Sequence, residues 1–294
     1  MIALLAAAAL LIAEPAGFLV ADGSNRYYAT GGLSAARFTP LVTTADGYAL
    51  VAYRDGAFMQ IERIDDHLGT TTVARIGPIA LIGPANDGFV TYTDGLARRY
   101  DLAGHPNSTP ASVIHARELL GVGDVTIAAS ETRFSAYRRN GHLLRGYWYD
   151  AASPVALGDD RIAVIDRTAG VVRVYSTALD ELAQLRFPGR RIRTIAAGPD
   201  GTLAVVHDGG IPCDPSAEID LYRDPASGKP SSRSGFAGRF IGPIALDATT
   251  LYVTTGTCGK TDDTQIGEIG RDGKTTGTLQ NVGRPLAILP FGPP

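Results

Sequence analysis

Six carboxylates recur along the chain, each closing a short apolar run: Asp22, Asp55, Asp94, Glu131, Asp166 and Asp208. Asp22, Asp55, Asp94 and Asp208 stand directly before glycine. An aspartate so placed accepts hydrogen bonds from the backbone two residues on and caps a tight turn. A second series, Arg37, Arg75, Arg117, Arg191, Arg239 and Arg284, opens the apolar runs that follow. Two kinds of chemistry suit such a pair of series. Carboxylates gathered about one centre offer oxygen ligands to a hard divalent cation such as calcium. Guanidinium groups offer planar forks to an anionic ligand, or simply neutralise the neighbouring acids. The structural role, acid as turn cap and arginine as its partner, is the reading that each local sequence favours. No residue is singled out as catalytic and no ligand set for a metal emerges.

The remaining reactive side chains exclude more than they suggest. Cys213 and Cys258 are the two cysteines, and no Cys-x-x-Cys pair exists, so zinc-finger and dithiol redox chemistry are ruled out. His67, His105, His115, His142 and His207 lack metal-ligand spacing and are expected in turns or on the surface. The segment Thr254-Thr-Gly-Thr-Cys-Gly-Lys-Thr261 imitates a phosphate-binding loop, but a threonine replaces its first glycine. A strand rather than a helix is expected to follow, so no helix N-terminus would meet a phosphate. There is no Gly-x-Ser-x-Gly elbow for a serine hydrolase.

The elements that must position these residues repeat. An apolar run, often entered through proline, is followed by Asp-Gly or a similar turn and a second apolar run. Anchored on Pro40, Pro78, Leu119, Pro154, Thr194, Pro243 and Pro285, the units are spaced by 38, 41, 35, 40, 49 and 42 residues. A period of about 41 is that of a four-stranded blade in a β-propeller. Short β-rich segments bounded by turn residues fall at 48–53, 89–93, 125–129, 161–165, 203–206 and 251–254, with partners at 58–64, 171–175 and 218–222. No sustained 3.6-residue apolar period follows Ala13, so the chain reads as all-β.

The ends then fit together. Pro285 opens an inner strand that has no room for partners, while 18–21, 26–30 and 32–37 are three strands without an inner one. The expected solution is a seven-bladed β-propeller in which the C-terminal strand completes the N-terminal blade, with a six-bladed ring as the alternative. Closure of that kind removes an exposed sheet edge. In a propeller, the turns between second and third strands and the links between blades share one face. That face would carry both the acid and the arginine series. Cys213 and Cys258 fall in the corresponding turns of two adjacent blades, which predicts a Cys213–Cys258 disulfide.

Phe18-Leu-Val-Ala-Asp-Gly-Ser-Asn-Arg-Tyr-Tyr28 resembles the NHL-repeat phrase, and Pro199-Asp-Gly-Thr-Leu-Ala-Val205 is similar to its approach and to YVTN-type blades. The resemblance covers about eleven residues of one blade and is looser elsewhere. It implies a propeller of the NHL, YVTN or gluconolactonase-like kind. The last of these would imply a metal-assisted lactonase or hydrolase.

Composition narrows the partners. With 27 basic and 30 acidic side chains the net charge is −3, without the basic surplus that nucleic-acid phosphates demand. Residues 1–13 form an apolar run too short to span a bilayer and read as a signal peptide, leaving 14–294 as one domain in the periplasm or outside the cell. No later stretch is a transmembrane segment. The expected function is an exported binding or interaction module for a protein or small molecule, with no cofactor. The metal-assisted hydrolase is the alternative.

Overall fold

The computed structural model describes residues 17–22, 27–29, 32–34, 39–43, 48–55, 58–65, 69–79, 81–211, 214, 216–236, 239–258, 264–280 and 285–291. Within them the chain is all-β, and its one helical element is a single 3-10 turn, Pro225–Ser227, capped by Asp224. No described helix is long and apolar enough to cross a membrane.

Three short strands come first: β1 (Gly17–Asp22), β2 (Tyr27–Ala29) and β3 (Gly32–Ser34). Six four-stranded antiparallel meanders follow. The first holds β4 (Thr39–Thr43), β5 (Ala49–Asp55), β6 (Phe58–Ile64) and β7 (Thr70–Ile76). The second holds β8 (Leu81–Ala85), β9 (Gly88–Thr93), β10 (Leu96–Asp101) and β11 (Ala111–Ser112). The third holds β12 (Glu118–Val122), β13 (Val125–Ala129), β14 (Phe134–Arg138) and β15 (Leu143–Tyr147). The fourth holds β16 (Ala151–Leu157), β17 (Arg161–Asp166), β18 (Val171–Ser176) and β19 (Glu181–Arg186). The fifth holds β20 (Arg191–Ala197), β21 (Leu203–Asp208), β22 (Glu218–Tyr222) and β23 (Ser232–Gly235). The sixth holds β24 (Arg239–Leu246), β25 (Thr250–Thr257), β26 (Gln265–Gly270) and β27 (Thr275–Gln280). Last comes β28 (Pro285–Phe291).

β28 does not end the chain in isolation. It pairs antiparallel with β1, setting Leu19 opposite Leu289, Val20 opposite Ile288 and Ala21 opposite Ala287. The head-to-tail closure expected from the sequence is therefore present. The first strands of successive meanders lie against one another in series, and β28 contacts both β24 and β4, so the series is circular. At one seam the approach becomes a backbone bridge, Gly121 opposite Ala85 in β12 and β8. Glycine makes this contact feasible. A Cβ on Gly83 would lie 2.2 Å from the Leu119 carbonyl oxygen.

The core sits between the meanders. Phe134, Tyr149 and Tyr175 stack across the seam of the third and fourth, with Val125, Ile127, Ile162 and Val164 beneath them. Leu157, Val172, Val174, Leu203 and Val205 fill the next seam. Ile219, Leu221, Leu251 and Val253 fill the one after that. All but Tyr149, which lies in the link between β15 and β16, belong to strands that alternate or are buried on both faces, as sandwiched sheets require. Apolar burial of this kind is the main drive for blade-on-blade packing.

Candidate interaction face

A four-stranded meander whose first strand is innermost places its second-to-third turns and its inter-meander links on one face. Its first-to-second and third-to-fourth turns lie on the other. The former is termed the upper face.

Of the sequence-predicted residues, the upper face holds those that are described. Asp22 ends β1 and Asp55 ends β5. Asp94 occupies the β9–β10 turn with φ 49°, followed by Gly95 at 80°. Two such residues in succession form the hairpin turn whose twist matches its strands. Asp166 is buried, accepts from the Ala169 backbone N–H at 2.9 Å and binds Arg173 Nε at 2.8 Å. Asp208 is buried too, accepts from Gly210 N–H at 2.7 Å and binds Arg193 Nε at 2.5 Å. The carboxylates in the fourth and fifth meanders are thus turn caps neutralised within their own sheet. Their arginines are Arg173 and Arg193, not members of the predicted series.

The predicted arginines disperse. Arg75 sits at the end of β7 over the Phe58 ring, 4.6 Å from its centroid. Arg117 pairs with Glu131, both exposed. Arg191 opens β20 opposite Asp208 in the ladder but leaves that carboxylate to Arg193. Arg239 opens β24 and reaches Thr255 Oγ1 at 3.3 Å. Arg37, Arg284 and Cys213 lie outside the described residues. Cys258 directly follows β25 at the upper face, and no described cysteine is a free thiol. No three described His, Cys, Asp or Glu side chains gather as a metal site would need.

One sequence expectation is corrected. His207 is not a turn or surface residue: it is buried in β21, its ring 4.6 Å from that of Phe187, with Nε2 3.4 Å from Asp220 Oδ2. Asp220 is 1% exposed and receives Arg233 through Nε at 2.5 Å and Nη2 at 2.8 Å. Burial alone would raise its carboxyl, but the pairing with His207 and Arg233 outweighs that and draws it down to about 2. Sequence spacing could not show this triad, because its members come from three strands.

The lower face carries a second unpredicted network. Arg99, 1% exposed, donates through Nε to Asp87 at 2.8 Å and through Nη1 to the Val125 carbonyl at 3.1 Å. Arg139 bridges Asp87 at 2.6 Å and Asp124 at 2.9 Å. Burial would raise the Asp87 carboxyl, and the two guanidiniums reverse it to a net lowering. Arg271 repeats the arrangement three meanders on, linking Asp200 and the Asp247 carbonyl. An arginine in the third-to-fourth turn thus ties its own first turn to that of the preceding meander. Arg139, the second of two adjacent arginines, is thus a tie between sheets.

What remains open on the upper face is apolar and arginine-bearing. Eight large hydrophobic side chains are exposed among the described residues, and five lie here: Phe58, Leu96, Ile114, Trp148 and Ile211. Trp148 is 78% exposed, with the Arg133 guanidinium 5.1 Å from its ring centroid. Beside Leu96, a cavity of about 240 Å³ opens at the seam of the first and second meanders.

No protein-family model and no curated protein matches the chain. Solved structures do. One is a functionally unknown protein from Desulfotomaculum acetoxidans, with 14% identity, 95% of this chain and 99% of that one covered, and a TM-score of 0.64. The WD40 repeats of RRP9 match at 13% identity, with 94% and 88% covered and a TM-score of 0.60. BamB from Moraxella catarrhalis matches at 10% identity, with 94% and 86% covered and a TM-score of 0.50. At such identities the likeness concerns the fold: the chain is a β-propeller.

Proposed function

We propose that this protein is a seven-bladed propeller that works by binding, its partner docking on the upper face. Six meanders, together with the two-stranded sheets β28–β1 and β2–β3 that would make up the seventh blade, support that count. One observation carries the docking surface: the concentration there of Phe58, Leu96, Ile114, Trp148 and Ile211. Exposed aromatic and aliphatic groups beside arginine are the composition of interaction hot spots, where a few residues carry most of the energy. Among the described residues the lower face exposes three large hydrophobics, Leu102, Leu143 and Leu182, and its Arg99, Arg139 and Arg271 are engaged between sheets. The NHL- or YVTN-like character, export through residues 1–13 and the Cys213–Cys258 bridge belong to the same reading. The metal-assisted hydrolase gains no supporting observation.

The test is quantitative affinity capture from an envelope extract. Wild-type protein is compared with a Trp148→Ala/Ile211→Ser variant whose thermal stability is unchanged. A partner held by the wild type should fall at least tenfold with the variant, since two hot-spot truncations together cost about 2 kcal/mol or more. Equal recovery of every captured protein by both would refute the docking surface.

A further inference from the structure

We infer that the cleft between the first two meanders is the anchor pocket of the upper face, and that its occupant is an acidic segment of a partner protein bearing one bulky apolar side chain. The inference rests on the docking reading and makes it specific. Its wall on one side is the link after β7, with Ile76, Pro78 and Ile79; on the other it is Leu96, Arg98 and Tyr100 of β10. The seam of the third and fourth meanders is filled by Phe134, Tyr149 and Tyr175. Here Leu50, Ala52, Ile61 and Phe89 pack the seam, and the cleft opens beside Leu96.

Size selects the occupant. The cavity of about 240 Å³ falls short of the roughly 300–1,000 Å³ of pockets that enclose a drug-sized molecule. It suits a single large side chain, with the rest of the ligand outside on the loops. The surroundings are set for that. Phe58 is held between the Arg75 guanidinium and Gly77, where an added Cβ would lie 2.4 Å from the ring. Thr93 Oγ1 donates to the Pro78 carbonyl at 3.0 Å, fixing the link against the sheet.

Charge selects the flanks. Around the arc of the first three meanders stand Arg75, Arg98, Arg117 and Arg133, against Asp55 at the end of its strand, Asp94, Glu118 and Glu131; Arg75 and Arg117 are already engaged, Arg117 with Glu131. Arg99, Arg139, Arg145, Arg161, Arg173, Arg190, Arg193, Arg233 and Arg271 each have a carboxylate. Arg98 shares the cleft lining with Asp94 but makes no ion pair among the described residues. A half-buried guanidinium without a carboxylate gains most from an incoming one.

The experiment is a selection of phage-displayed random dodecapeptides on the immobilised full chain. The enriched peptides are then measured by fluorescence polarisation against wild type, Arg98→Glu, Leu96→Ser and Trp148→Ala. Both cleft residues are partly exposed, and melting curves check that each variant is folded. Supporting the inference are peptides rich in Asp and Glu about a Leu, Phe or Trp, weakened tenfold or more by Arg98→Glu and by Leu96→Ser. Neutral or basic consensus peptides, or no enrichment, overturn it. Peptides indifferent to both cleft variants but lost with Trp148→Ala overturn the cleft and leave the upper-face reading standing. Peptides indifferent to all three variants overturn both.

Discussion

Replacing Asp220 by asparagine removes a charge from the interior while keeping shape, and the structure sets the size of the effect. The carboxylate is 1% exposed, so solvent does not screen its contacts with His207 and Arg233. Its folded value of about 2 lies below the ordinary 3.8. At about 1.4 kcal/mol per unit, that difference corresponds to roughly 2–3 kcal/mol of stability at neutral pH. Because the folded value is the depressed one, this contribution is complete above pH 4 and disappears as the pH falls through 4 towards 2. Asparagine also leaves His207 and the fork of Arg233 without a charged acceptor, which places the total cost at about 3 kcal/mol. Urea denaturation of wild type and D220N at pH 7 and again near pH 2.5, followed by circular dichroism, measures both quantities. The gap between the two proteins should be about 3 kcal/mol at pH 7 and should shrink markedly in acid. A gap below 1 kcal/mol at pH 7, or one that is the same at both pH values, would refute the reasoning.

Two other perturbations probe the fold. Gly83→Ala places a methyl against the Leu119 backbone oxygen, a neighbour that cannot rotate away, at the seam of the second and third meanders. It should cost about 1–3 kcal/mol and lower Tm by several degrees; a Tm within 1 °C of wild type would contradict the described approach of the two inner strands. The proposed Cys213–Cys258 bridge would close a loop of about 45 residues worth roughly 3–4 kcal/mol. Thiol titration of the denatured, unreduced protein should find no free cysteine, and two reactive thiols per chain would dismiss the bridge.

The architecture was legible because a propeller repeats. Each blade is one meander of similar length, so local turn chemistry at Asp94-Gly95 or Asp208-Gly209 marks a boundary wherever it recurs. The expected segments at 125–129, 58–64 and 218–222 coincide with strands in full. Closure was legible for a simpler reason: an inner strand without partners at one end and partners without an inner strand at the other. The turn-capping role of Asp166 and Asp208 followed from residue type as well. The resemblance to NHL and YVTN blades reached no further than the fold, because strand phrases of that kind answer to packing rather than to a ligand.

Sequence by itself determined the repeat, the all-β character and the face on which acids and arginines fall, since these depend on neighbours a few residues apart. Only the tertiary structure decided which arginine meets which acid. Arg173 and Arg193 took the carboxylates because a strand sets side chains beside those of the adjacent strand, whatever their separation in the chain. The same rule buried His207 against Asp220, whereas the packing of neighbouring meanders joined Arg99 and Arg139 through Asp87. The cleft beside Arg98 forms where the link after β7 folds against β9 and β10, a meeting of segments apart in the chain.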